Sequence, residues 1–251
     1  MSASLVGSEM CIRDRYKERQ MKRRIESLMQ RKGYPDFEDF YHALHSDDEL
    51  LRSFVSYLTI NVSEFYRNPK QWELFEQKII PYLIKTYGNR LNIWSAACST
   101  GDEPYTIAMI LAKHISLDQI RIYATDIDED VLKYAKKGFY LTRSLERLPD
   151  EFLENYFTKR EKGYQISNNI KSCVEFRKHN LLEDRFPSGI HMVVCRNVVI
   201  YFTDEAKDRV YQGFYKSLTK DGILFIGSTE QIVHAKEIGF YATDSFFYQK
   251  M

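Results

Sequence analysis

Apolar residues recur at helical spacing from Tyr16 onward, where Met21, Ile25, Leu28 and Met29 make one stripe. Lys17, Arg19, Lys22, Arg23, Arg24, Arg31 and Lys32 crowd the remaining surface. The turn Gly33-Tyr34-Pro35 ends that helix. Two shorter amphipathic helices are expected near Phe37 to Leu44 and Asp48 to Leu58, the second opening at the acidic cap Ser46-Asp47-Asp48. An aromatic helix from Gln71 to about Tyr87 follows, after which the pattern changes. The run Leu91-Asn92-Ile93-Trp94-Ser95 passes through Ala96 to Gly101 and ends at Pro104, which suits a first helical position. That is a buried strand, a tight turn and a helix from Tyr105 to His114. A second apolar strand, Ile120 to Ala124, runs into Thr125-Asp126-Ile127-Asp128, and a helix from Val131 to Lys137 comes next.

The rhythm then breaks. Pro149 opens a short helix through Tyr156, and Tyr164-Gln165-Ile166 and Cys173 to Phe176 read as strands around a turn at Ser167-Asn168-Asn169, a small inserted unit. The main pattern resumes at Lys178-His179-Asn180-Leu181-Leu182 and in the buried strand Ile190 to Cys195. A helix from Asp204 to Leu218, the turn Lys220-Asp221-Gly222, a strand Ile223 to Ser228 and a last strand around Phe246 to Gln249 complete the chain. The last two strands are expected to pair antiparallel at a sheet edge. Strands alternating with helices predict an α/β protein behind a small helical domain.

Composition narrows the class. At 251 residues and 44% hydrophobic content the chain can bury a sizeable core, and a net charge of +1 confines any basic surface to a local patch. Cys11, Cys98, Cys173 and Cys195 form no C-x-x-C pair, which fits a reducing, cytoplasmic compartment. No run approaches the roughly 18 apolar residues of a membrane span. Residues 1–15 follow neither the helical pattern nor a targeting class and read as a non-native scar. His42 and His45 share a helix face without a third ligand, so no metal site is expected.

Candidate chemistry gathers at strand ends. In α/β folds ligands sit where helix amides point out beyond the strands, which places the Ala97 to Pro104 turn at a binding site. Asp126 follows Gly101 by about 25 residues, the spacing at which such folds put the acid that takes ribose hydroxyls; a helix cap is the other reading. Ser99 and Thr100 stand where a G-x-G-x-x-G loop has glycines, which favours a smaller adenosine ligand over a dinucleotide. Arg196-Asn197, set between apolar runs after Cys195, calls for a partner. Asn61 and Ser63 fit a helix cap as well as a ligand contact, and Arg67 fits a cation lying on a neighbouring ring. The basic first helix is either a solvated face or a docking surface for an acidic helix.

Five ordered segments carry a resemblance. Asn61-Val62-Ser63-Glu64-Phe65-Tyr66-Arg67, Trp94 to Tyr105, Ala124 to Asp128, His179-Asn180-Leu181-Leu182 and Cys195 to Phe202 are similar, in order and spacing, to the CheR family of chemotaxis receptor methyltransferases, most closely to Bacillus-type members. The resemblance implies a Rossmann-like class I methyltransferase sheet with a small N-terminal helical domain (16–58), a linker and helix contributing to the cofactor site (59–88), and an S-adenosylmethionine-binding domain (89–251) with an inserted β-subdomain at 142–176. It implies S-adenosylmethionine as cofactor, S-adenosylhomocysteine as product, and methylation of glutamate carboxylates on the cytoplasmic helices of chemoreceptors, an activity of the EC 2.1.1.80 type. Carried over by motif, Asn61, Ser63, Arg67, Glu103, Asp126, Asn180, Leu181, Arg196 and Asn197 contact the cofactor, with Arg67 also at the reacting carboxylate and Tyr201 a further catalytic contact to the cofactor or that carboxylate. Arg19, Lys22 and Arg23 become candidates for receptor docking. The short Phe157 to Ile166 segment implies recognition without a C-terminal tether peptide. A monomer with no nucleic-acid partner and no membrane insertion completes the expectation. The competing readings are a methyltransferase of this fold acting on a small molecule or nucleic acid, and a non-catalytic cofactor-sensing scaffold.

Overall fold

The computed structural model describes residues 16–58 and 63–251, so the expected scar at 1–15 and the candidate Asn61 lie outside the described residues. These residues divide into two compact units. One holds 16–58 together with Tyr201–Asp208, the other 63–200 and 209–251.

The first unit is a three-helix cluster, Glu18–Lys32, Phe37–Ser46 and Asp48–Leu58, around Leu28, Met29, Phe40, Leu44 and Leu50. Gly33 stops the first helix at φ 79°, its N–H returning to the carbonyls of Gln30 and Met29. Asp36 caps the second helix by accepting from the Asp39 N–H at 2.9 Å, and Asp47 Oδ1 accepts from Glu49 and Leu50 at the start of the third. Residues 201–208 join this unit through a bridge between Tyr16 and Phe202 and a bond from Lys17 N–H to the Tyr201 carbonyl at 3.0 Å.

In the second unit the strands are β1 (Asn92–Ala96), β2 (Arg121–Asp126), β3 (Phe139–Tyr140), β4 (Phe157–Arg160), β5 (Gly163–Ile166), β6 (Val174–Lys178), β7 (Ile190–Cys195), β8 (Leu218–Ile226), β9 (Phe240–Asp244) and β10 (Phe247–Lys250). Seven of them form one sheet in the order β6-β2-β1-β7-β8-β10-β9, and β3-β5-β4 form a small antiparallel sheet. From β6 to β8 all neighbours are parallel, while β10 runs antiparallel to both β8 and β9. The chain winds outward from β1 in one direction through β2 and β6, and from β7 in the other through β8. The carboxyl ends of β1 and β7 therefore flank the crevice where such sheets bind ligands.

Several boundaries differ from expectation. The helix after β1 runs from Asp102 to Leu111, with Gly101 as its cap, so Pro104 sits at the third helical position. A proline N–H is dispensable anywhere in the first turn, so its presence dates the start only to within a turn. Cys173 to Phe176 does not belong to the inserted unit, because Val174–Lys178 pairs with β2 from Ile122 to Asp126. The small sheet instead spans 139–166, and Ser167 caps a one-turn helix, Asn168–Lys171, leading back to the main sheet. A strand with one buried face reads alike in either sheet, and pairing decides between them. β9 went unread because only Phe240 of its five residues is buried, which leaves no alternation to see. The aromatic helix holds a π turn, Phe75–Ile79, in which Ile80 N–H reaches back to the Phe75 carbonyl just ahead of Pro81, whose ring cannot continue the ordinary ladder. Among the described residues no helix is long and apolar enough to cross a membrane.

Candidate active site

The turn after β1 is held in an unusual backbone conformation. Ala97, Ser99 and Gly101 all have positive φ, at 61°, 49° and 89°. Only Gly101 must be glycine, since a Cβ there would meet the Ala135 Cβ at 2.8 Å. Asp126, at the end of β2, stabilises the turn by accepting from the Ser99 N–H at 2.8 Å through one oxygen and from the Asp128 N–H at 3.0 Å through the other. The helix-cap role belongs to Asp128, whose Oδ1 accepts from Asp130 N–H. Burial pushes the Asp126 carboxyl up to about 6. Asp102, sealed in the first helical turn, is likewise raised to about 6 by burial against the opposing hydrogen bonds from Thr100 and Ser63.

Arg196, just past β7, occupies the other side of the crevice. Its guanidinium rests against the rings of Trp72 and Phe225, 4.9 and 4.8 Å away, which themselves meet edge to face at 5.6 Å, and it donates through Nη2 to the Arg67 carbonyl (2.9 Å) and to Gln71 Oε1 (2.6 Å). Nη1 stands 3.6 Å from Glu103 Oε2, while Glu103 Oε1 accepts from Ser95 Oγ at 2.8 Å. Burial lowers the Arg196 pKa and raises that of Glu103, each being partly offset by the other's charge. The Arg67 carbonyl also accepts from Trp72 Nε1, so two bonds fix the main chain beneath the Arg67 side chain. Asn180 follows β6, where His179 N–H bonds to the Asp126 carbonyl. Asn180 Oδ1 turns the chain by accepting from Leu182 N–H, and Leu181 is buried.

Thus Ser63, Glu103, Asp126, Arg196 and Arg67 are tied into one network with the turn after β1 or with each other, and Asn180 and Leu181 leave the strand beside it. Asn197 begins the next turn. Tyr201 lies in the other unit, where it lines a cavity of about 470 Å³ with Tyr16, Met21, Arg23, Arg24, Ser27, Tyr57 and Leu58. Arg19, Lys22 and Arg23 are exposed on the first helix. Sequence reasoning missed Asp102, Gln71 and Glu230. Glu230 accepts four main-chain N–H groups, and its only advance signal was a position just beyond the end of β8. Cys98, Cys173 and Cys195 are free and buried, and burial raises each thiol. Among the described residues no group of His, Cys, Asp and Glu is placed to hold a metal ion.

Two observations say what the crevice fits. Ser99 Oγ and Arg196 Nε are buried without a hydrogen-bond partner in the protein, so polar capacity is left over on both sides. Glu103 and Asp126 are carboxylates at the two sides of the crevice, Asp126 buried and Glu103 nearly so, with Arg196 as the cation set beside Glu103, so a cationic group bound there would offset buried negative charge.

A doubly wound sheet with an acid ending its second strand and a tight turn ending its first defines a nucleoside-binding α/β protein. Residues 61–246 match the family described as CheR methyltransferase, SAM binding domain, and residues 14–59 match its all-alpha domain. The chain belongs to the CheR methyltransferase family, and its cofactor is S-adenosylmethionine. A chemotaxis protein methyltransferase of Listeria monocytogenes is 41% identical over 235 residues, covering 94% of this chain and 90% of the relative, and that of Listeria innocua matches to the same extent. One from Borreliella burgdorferi is 31% identical over 83% of this chain and 78% of its own length. The sulfonium and ammonium of S-adenosylmethionine supply the positive charge that the buried carboxylates favour.

Proposed function

We propose that this protein methylates glutamate side chains on the cytoplasmic helices of chemoreceptors, forming γ-carboxyl methyl esters. The observation that carries the reading is the linked set Glu103, Arg196 and the Arg67 main chain, set across the crevice from Asp126 in a chain of this family. Bound there, the cofactor supplies a methyl group activated by its sulfonium. Asp126 would accept from the ribose, Glu103 would face the methionine part, and Ser63, Asn61, Asn180, Leu181, Arg196 and Asn197 would complete the pocket. A glutamate with an ordinary pKa of about 4.3 is ionised at neutral pH, so no general base is required. What remains for the protein is alignment and exclusion of water.

Arg67 holds the incoming carboxylate, with its main chain fixed by Arg196 and Trp72, and Tyr201 is a further contact to the carboxylate or cofactor. Arg67→Ala is expected to lower turnover by about 100-fold while cofactor affinity, read by calorimetry, changes by less than about threefold. Loss of binding in step with activity would remove Arg67 from this role. Transfer of labelled methyl to receptor cytoplasmic fragments, followed by release of methanol in base, identifies a carboxyl ester and distinguishes it from N- or C-methylation.

The helical unit 16–58 is the docking module in this reading, 59–88 contributes to the cofactor site and 89–251 is the transferase domain. Arg19, Lys22 and Arg23 steer the glutamate-rich receptor helix. The β4–β5 hairpin turns in two residues between the paired Arg160 and Gly163, which leaves a short β-subdomain. Recognition is therefore proposed to be independent of a receptor tether: titration with a receptor C-terminal peptide should give no heat, and saturable binding would refute this. The protein works as a cytoplasmic monomer.

A further inference from the structure

We propose that Glu230 is a positioning residue of the cofactor site, holding the turn after β7 in the conformation that presents Arg196 and Asn197. The inference rests on the reading of the strand ends as that site. Glu230 Oε2 accepts from Gly227 N–H (2.6 Å) and Asn197 N–H (2.9 Å), and Oε1 from Val198 N–H (3.0 Å) and Val199 N–H (3.1 Å). Three consecutive amides of one turn and one amide of the next thus converge on a single carboxylate. β7 and β8 are parallel neighbours, so both turns leave the sheet at the carboxyl end of its strands and Glu230 ties them together.

The clamp has a backbone to hold. Asn197 sits at φ 61°, in the left-handed region that asparagine reaches more readily than other non-glycine residues. The Asn197, Val198 and Val199 amides all donate to one carboxylate, which holds the turn in that form, and Arg196 is the residue before it. Gly227 shows how closely the parts are fitted: a Cβ there would stand 2.7 Å from Glu230 Oε2 and 2.8 Å from Asn197 N. The chemistry requires a carboxylate. A glutamine would present one carbonyl oxygen and turn an NH₂ group toward two of the four donors, losing half the clamp and setting donor against donor there. Glu230 is buried by these contacts, so it acts through the turn.

Glu230→Gln and Gly227→Ala test this, with S-adenosylhomocysteine as the calorimetric probe and methyl transfer to a receptor fragment as the kinetic one. Both variants are expected to weaken S-adenosylhomocysteine binding by at least about tenfold and to raise the KM for S-adenosylmethionine in step. At saturating cofactor, kcat should stay within about threefold of wild type. Gly227→Ala added to Glu230→Gln should weaken binding by less than about twofold further, because both act through one clamp. Wild-type affinity in both variants, an equal fall in kcat and affinity, or additive effects of the two substitutions would overturn the proposal. Gly227→Ala carries the test if circular dichroism shows Glu230→Gln unfolded. Failure of the wild-type protein to bind S-adenosylhomocysteine is a separate result that overturns the cofactor assignment itself.

Discussion

Two charged regions of this molecule use the same kinds of side chain to opposite ends. At the strand ends Asp102, Asp126, Arg196 and Glu230 are buried, with Glu103 nearly so, and every one has partners fixed by hydrogen bonds or rings. On the helix Glu18–Lys32, Arg19, Lys22 and Arg23 project into solvent. A buried charge defines a position, because removing its partner leaves a desolvated ion behind. An exposed charge contributes to a field, in which any single member matters little and salt weakens them all.

The contrast is most sharply tested at Arg196. Arg196→Ala empties the space against the Trp72 and Phe225 rings and leaves Glu103 buried without its counter-charge, and a loss of about 3–5 kcal/mol in urea unfolding is expected. Arg196→Met refills that space and should recover only part of the loss. A change below about 1 kcal/mol in both would mean that the buried network behaves like the exposed helix.

Asp126 should give an effect of opposite sign. Its carboxyl, raised from 3.8 to about 6, binds a proton more tightly in the folded protein than in the unfolded chain. The resulting stabilisation is complete below about pH 4 and is lost as pH rises through about 6, so the ligand-free protein bears the cost of the buried anion at neutral pH. Asp126→Asn is accordingly expected to stabilise the ligand-free protein at pH 7.5 by up to about 3 kcal/mol, less whatever the Ser99 and Asp128 bonds lose, and to lose that advantage near pH 4. The same variant should weaken cofactor binding. In the wild type, affinity should fall below about pH 6 by up to tenfold per unit. Thermal melts and calorimetry across pH 4–8 read both, and a pH-independent difference between wild type and variant would remove Asp126 from this account.

The smallest effect belongs to the exposed helix. Arg23→Glu should shift unfolding by no more than about 0.5 kcal/mol, yet slow receptor methylation at low ionic strength, with the difference closing toward 0.5 M salt. Unchanged methylation at low salt would take Arg23 out of docking.

How far the sequence could be read depended on the distance over which each feature is decided. The three N-terminal helices were legible because signals such as the Asp47 cap, and Gly33 beyond the first helix, act within a few residues. The strand-turn-helix at β1 and the acid after β2 were legible for the same reason. Asp126 as the support of the Ser99 turn was not, since that bond joins residues 27 apart. Gln71 and Glu230 escaped notice because each becomes significant only through a partner far along the chain, Arg196 from Gln71 and the Asn197 turn from Glu230.

By itself, then, the sequence determined the helices and most strands, the α/β class, the residues that line the strand ends and, through five ordered motifs, the family. These follow from local periodicity, capping and spacing, which need no knowledge of the rest of the chain. The tertiary structure alone decided that Val174–Lys178 joins the main sheet, that Tyr201–Asp208 packs with the N-terminal helices, and that Arg196 rests against two rings with Glu103 as its ion-pair partner. Each is a choice among partners that look equivalent locally, and burial and hydrogen-bond satisfaction settle such choices only once the whole chain is in place.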